Sequence, residues 1–216
     1  MDKGNTALIL NPFIDGMRDS GAQVKLLYTK RLDVRPCTGE FSCWSNTPGR
    51  CCIRDDMASV LNEMRDSDYW VFGTPVFAKL TGEMQNIINR TMPLFNEKVV
   101  VRGRSFLPDI RNPLKLRKIA LVSSCSYWGL ENFELLVETT EFMAKAFGTR
   151  MARPLLRPNA DMLKPRGVDR QMAKAIFDAA RKAGSELVTK GEITAKSARQ
   201  VQVPLMSRDR FLRSQS

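Results

Sequence analysis

Apolar residues recur at helical spacing along most of the chain. One stripe runs through Ala7, Leu10, Ile14 and Met17, a second through Met57, Val60, Leu61 and Met64, and a third through Met84, Ile87, Ile88, Thr91 and Phe95. A fourth holds Phe133, Leu136, Thr140, Met143 and Phe147, and a long one holds Val168, Met172, Ile176, Ala179, Ala183 and Leu187. A shorter helix follows Thr194. Between the stripes lie runs of strand length: Gln23–Thr29, Asp68–Gly73, Lys118–Ser124 and the weaker Arg150–Leu156. Asn5 or Thr6 is placed to cap the first helix, Pro12 predicts a kink or an early break in it, and Gly21 and Gly148 end helices. Residues 34–54 are loop-like, and 97–116 form a basic, Pro-containing insertion without clear period. Strict alternation of strand and helix predicts an α/β fold, a parallel sheet with helices on both faces. Such sheets bind ligands beyond the carboxyl ends of their strands. Function is therefore expected at Lys3–Thr6, Thr74–Phe77 and Ser123–Gly129.

Composition narrows the chemistry. The 216 residues are enough for one domain with a core of its own. There is no histidine, which excludes Ser-His-Asp and Cys-His nucleophilic sites and the His-based zinc sites. The net charge is +11, but it is uneven. Residues 150–216 carry 15 Lys and Arg against 6 Asp and Glu, whereas the first 149 residues carry 19 against 17. A solvated basic face on the last helices accounts for this, and no nucleic-acid motif accompanies it, so no nucleic-acid partner is expected. No apolar run approaches the roughly 20 residues of a membrane span, and MDKGNTALIL does not follow the order of a secretory signal. Five cysteines, an odd number, fit a reducing cytoplasm better than a disulfide framework.

Each motif has a chemical and a plain reading. Gly4-Asn5-Thr6 opens a helix, where free N–H groups suit a phosphate and where the same residues make an ordinary cap. Gly73-Thr74-Pro75-Val76-Phe77 is a stiff strand-to-helix turn that offers backbone groups and a ring surface to a planar ligand. Ser123-Ser124-Cys125-Ser126-Tyr127-Trp128-Gly129 ends a buried strand with hydroxyls and aromatics, suited to a heterocycle or simply to the core. Cys37, Cys43, Cys51 and Cys52 crowd one loop with the spacing C-x5-C-x7-C-C. No C-x2-C pair is present, and Glu40 stands where the middle cysteine of a C-x2-C-x2-C run would be. Reduced structural or redox-active thiols are preferred, and no metal is expected.

The order Gly4-Asn5-Thr6, Arg35-Pro36-Cys37-Thr38-Gly39, Phe41-Ser42-Cys43-Trp44, Thr47-Pro48-Gly49-Arg50-Cys51, Asp55-Asp56-Met57 and Gly73-Thr74-Pro75-Val76 resembles the NADPH-dependent FMN reductase-like proteins of the flavodoxin superfamily, which include the iron–sulfur flavoproteins. The likeness runs from residue 3 to about residue 163. It implies a flavodoxin-like three-layer sandwich with a parallel sheet over residues 1–164, and a basic helical extension, 165–216, packed on the same domain. It also implies FMN as cofactor. The phosphate loop maps onto Lys3, Gly4, Asn5 and Thr6. The turn that contacts the isoalloxazine maps onto Thr74, Pro75, Val76 and Phe77, and a second loop beside the ring onto Ser124, Cys125, Ser126 and Tyr127. Homodimers or homotetramers are expected.

Two departures accompany the resemblance. The family's first apolar strand and Gly-Ser-Pro-Arg turn do not precede Gly4, so Met1 is expected to lie downstream of the native start; were the short chain the native one, FMN affinity is expected to be weak or absent. Glu40 interrupts the compact cysteine run, so no iron–sulfur cluster is expected. The resemblance implies an oxidoreductase that passes electrons from NAD(P)H through FMN to a quinone, a flavin or another small-molecule acceptor, with no catalytic side chain assigned. The alternative is a non-enzymatic electron carrier or binding protein of the same fold.

Overall fold

The computed structural model describes residues 4–77, 80–164 and 169–214. Strand β4 (Lys118–Ser124) lies at the centre of its sheet and is buried from Ile119 through Ser124. A strand buried on both faces reads as an unbroken apolar run, as Ile119–Val122 does. Strand β1 (Tyr69–Pro75) pairs with it in parallel, from Tyr69 opposite Lys118 to Pro75 opposite Ser124. On its other edge β4 pairs in parallel with β5 (Arg150–Met151) and β6 (Leu155–Arg157). These two share one strand position. The gap between them contains Pro154, which has no N–H to donate.

Helices cover both faces. Ile119 and Leu121 point into one core with Trp70 and Phe72, where α2 (Met57–Asp66), α3 (Gly82–Asn89) and α4 (Glu134–Ala146) bury Met57, Ile87 and Leu136. Ala120, Val122 and Leu155 point into the other, against α1 (Asn5–Asp19), α5 (Arg170–Lys190) and α6 (Ala195–Val201). A last helix, α7, spans Arg208–Arg213. The result is the expected three-layer α/β sandwich.

Helices α1 and α5 meet backbone to backbone. A Cβ added at Gly16 would lie 1.7 Å from the Arg181 carbonyl oxygen, and one at Gly184 would lie 1.9 Å from that of Phe13. Only glycine permits this approach from either side. The contact also holds α1 across Pro12. The expected break does not end the helix, because Phe13, Ile14 and Met17 beyond it are buried.

Four local expectations are corrected. Gln23–Thr29 alternates between exposed and half-buried positions as a strand does, yet belongs to no ladder among the described residues. Ala22 and Val24 reach the core through side chains instead. Phe95 does not continue the third helix, which stops at Asn89; it starts β2 (Phe95–Arg102). The insertion after it is not aperiodic: β2 pairs antiparallel with β3 (Ser105–Ile110) around Gly103, whose φ of 64° suits the turn. On α5, Met172 is exposed and the buried face begins at Ile176; Val168 lies outside the described residues.

Candidate functional site

The carboxyl ends of β1, β4 and β6 converge on the first turn of α1. Pro75 faces Ser124, and Ser124 faces Arg157, in register across the three strands. The Val76 N–H donates to the Ser124 carbonyl at 2.9 Å, and the Cys125 N–H donates to that of Arg157 at 3.1 Å. Beyond the strands, the Ala160 and Asn159 N–H groups donate to the Cys125 and Tyr127 carbonyls, each at 3.0 Å. Asn159 takes a left-handed φ of 50° to make this corner, and asparagine tolerates that conformation better than most residues.

Helix α1 begins here without a side-chain cap. Gly4 is extended and accepts from the Ala7 N–H at 2.9 Å, so the earliest N–H groups of the helix have no partner within it. The Thr6 hydroxyl lies 2.8 Å from that of Ser124, joining the helix start to β4. Asn5 donates to Asp161 at 3.4 Å, while its own Oδ1 is buried without a partner. Phe77 and Tyr127 are 65% and 64% exposed and leave apolar ring surface beside the strand ends.

Of the residues singled out from sequence, Gly4, Asn5, Thr6, Thr74, Pro75, Val76, Phe77, Ser124, Cys125, Ser126 and Tyr127 all belong to these converging segments. Lys3 lies outside the described residues. Thr74 and Cys125 are buried. The Thr74 hydroxyl donates to the Pro75 carbonyl, and the Cys125 thiol donates to the Tyr127 carbonyl, so these two offer backbone rather than side chain. Burial pushes the Cys125 thiol above its ordinary range.

Arg157 and Asn159 complete the strand-end layer and were not anticipated. Arg157 is fully buried. It donates to the carbonyls of Pro158, Val201 and Val203, its Nη2 has no partner, and no carboxylate pairs with it among the described residues. Burial lowers its pKa to about 10 despite the opposing effect of nearby Cys125, so it is a cation at neutral pH. Its signal in the sequence was a lone arginine closing the apolar pair Leu155-Leu156.

A second constellation lies in the loop between residues 34 and 56. Its anchor is a bidentate pair: Arg90 donates to Asp55 at 2.7 and 3.0 Å and to the Arg35 carbonyl at 2.7 Å, with both side chains almost fully buried. Asp55 also accepts from the Arg35 and Met57 N–H groups. Burial opposes its charge, but Arg90 and the backbone donors outweigh burial and hold the carboxyl below its ordinary range. The Trp44 indole donates to the Met92 carbonyl. On this frame Cys43 is buried, and burial raises its pKa, with the Cys51, Glu40 and Cys37 charges adding to it.

Residues 1–128 match the family described as NADPH-dependent FMN reductase. An iron–sulfur flavoprotein of Archaeoglobus fulgidus is 28% identical over 115 residues, 53% of this chain and 56% of that protein. The chain spans about half the length of the curated relatives it matches. Among solved structures, an NAD(P)H:quinone oxidoreductase from Methanothermobacter marburgensis superposes with a TM-score of 0.61 at 14% identity, over 87% of this chain and 92% of that one. An FMN-dependent NADH-azoreductase from Bacillus anthracis, in complex with FMN, gives 0.62 at 9% identity, over 88% and 93%. These likenesses establish the fold.

Proposed function

Since the chain belongs to the NADPH-dependent FMN reductase family, we propose that it is a flavin-dependent oxidoreductase that binds FMN at the carboxyl ends of β1, β4 and β6. The observation that carries this reading is the meeting of the uncapped α1 start with β4 through the Thr6–Ser124 contact of 2.8 Å. The residues present fit the group. The first N–H groups of α1, with Asn5 and the Thr6 hydroxyl, suit the phosphate, because a helix N-terminus carries about half a positive charge. The buried Arg157 adds a fixed cation to the same layer. Phe77 and Tyr127 supply flat surface for the ring system, and the backbone of Thr74–Val76 and Ser124–Ser126 is placed along its polar edge. FMN, when bound, supplies the hydride-transfer chemistry, so the lack of histidine is no obstacle.

NAD(P)H as donor follows from the family, and a quinone, a flavin or another small molecule is the acceptor we assign. All five cysteines are free thiols, which supports a reducing, cytoplasmic setting. No described helix is long and apolar enough to cross a membrane. We also assign a homodimer or homotetramer. The outer face of the β2–β3 hairpin supports it, for Val99, Val101 and Phe106 are 67, 65 and 77% exposed and Val101 and Phe106 are cross-strand partners.

Fluorescence titration of the purified full chain with FMN tests the site. Saturable quenching at one FMN per chain, weakened in Thr6→Val, is expected. Absence of binding, or binding indifferent to Thr6, contradicts it.

A further inference from the structure

We propose that Glu40, Cys51 and Cys52 form a binding site for one zinc-type divalent ion. A carboxylate oxygen and two sulfurs, one from each residue, all lie within 4.8 Å of one another. The Cys52 thiol already donates to Glu40 Oε1 at 3.2 Å. A tetrahedral ion with bonds of about 2.0–2.3 Å holds its donors roughly 3.3–3.8 Å apart, so small side-chain rotations close the set. The loop holds Glu40 against Cys52. Left-handed turns flank it, at Gly39 with φ 72° and at Phe41 with φ 54°. The Thr38 hydroxyl holds Oε2 and leaves Oε1 directed at Cys52.

A separate observation points to the same place. Arg90 is 1% exposed, and its Nε makes no hydrogen bond. It lines a cavity of ≈ 20 Å³ together with Cys37, Glu40, Cys43 and Cys51. Its guanidinium therefore lies beside Glu40 and Cys51, two of the three ligands. Two thiolates and one carboxylate around a divalent ion leave a single negative charge. Both thiols give their protons to solvent on binding. The donor set suits zinc, whereas calcium and magnesium take oxygen ligands. Solvent fills the fourth position on the exposed side of Cys52.

This site is not an iron–sulfur centre, although curated relatives carry that name. A cluster of that kind is held by four thiolates. Here a carboxylate stands between Cys37 and Cys43, and those two sulfurs are not in the convergent set. The cavity that the other cysteines line holds little more than one water-sized atom. Cys52, the residue next to the last cysteine of the run, takes part instead.

The test is a titration of reduced, chelator-treated full-length protein with Co²⁺, followed by displacement with Zn²⁺. One Co²⁺ per chain is expected, with a thiolate charge-transfer band and tetrahedral ligand-field bands that Zn²⁺ abolishes. Cys52→Ala and Glu40→Gln should each weaken binding on the order of tenfold or more, and Cys37→Ala should leave it unchanged. Glu40 and Cys52 are exposed, and circular dichroism confirms that each variant is folded. Absence of stoichiometric binding, a spectrum without thiolate charge transfer, binding that survives Cys52→Ala or is lost in Cys37→Ala, or stoichiometric iron and sulfide would each overturn the proposal. None of these readouts depends on FMN, so the flavin assignment stands or falls separately.

Discussion

Asp55 and Arg90 form the most demanding pair in the molecule, for both side chains are almost wholly removed from water. Deleting one partner of a buried pair strands the other, at a cost of about 3–5 kcal/mol. Asp55→Ala should therefore lower the free energy of unfolding by that amount in a urea titration. The pH dependence has a definite sign. The folded carboxyl is held below its ordinary value, so its contribution is present above the ordinary aspartate range and is lost as pH falls through the lowered folded value. Asp55→Asn should flatten that part of the acid limb of the stability curve; an unchanged limb would contradict the assignment. At the strand ends, a hydroxyl pair such as Thr6–Ser124 is worth about 0.5–1.5 kcal/mol. In a double-mutant cycle of Thr6→Val and Ser124→Ala, the effects on FMN affinity should couple rather than add. The Asp55–Arg90 pair and the burial of Arg157 were hidden from the sequence. Asp55 stood in a motif with no partner in view, because Arg90 lies 35 residues away, and Arg157 lay just past the weak strand Arg150–Leu156, its burial depending on Val201 and Val203 covering it.

Elements are set by what they touch. Gly16 and Gly184 let α1 and α5 close on each other's backbone. Gly16→Ala or Gly184→Ala must push the helices apart, and overpacking of this kind costs typically 1–3 kcal/mol, about as much as several degrees of melting temperature. A thermal melt indistinguishable from the native one would refute the close approach. The helical stripes were legible because each buries one face, and β4 was legible because it buries both. The hairpin of β2 and β3 was not. Its outer face is apolar and exposed, its inner face is mixed, and Lys98, Arg102, Arg104 and Pro108 interrupt the alternation. Gln23–Thr29 shows the reverse case. Its alternation marks an extended segment, but a ladder also needs a neighbour, and β1 pairs only with β4 among the described residues. If the hairpin face seats a second copy, Phe106→Ser should reduce the oligomer's mass in light scattering without altering the far-ultraviolet spectrum of the fold.

For the molecule as a whole, the net charge of +11 says little about the site. Most of the excess lies in the C-terminal third, where several ion pairs are exposed, among them Lys174–Asp178 and Arg181–Asp19, and exposed pairs of this kind contribute little to stability. The candidate site lies instead where three parallel strands end against the start of one helix. That place was legible from the alternation of elements alone, and its residues from the order of the motifs; the corner at Arg157–Asp161 was not, because its strand is only three residues long. The central claim is that these strand ends hold FMN and deliver electrons to it. Anaerobic mixing of the FMN-loaded full chain with NADPH, followed at the flavin absorption band, tests it most directly. Rapid bleaching, restored by adding a quinone, is the expected result. A chain that retains FMN but does not bleach would be an electron carrier or binding protein, and one that retains no FMN would contradict the account at its root.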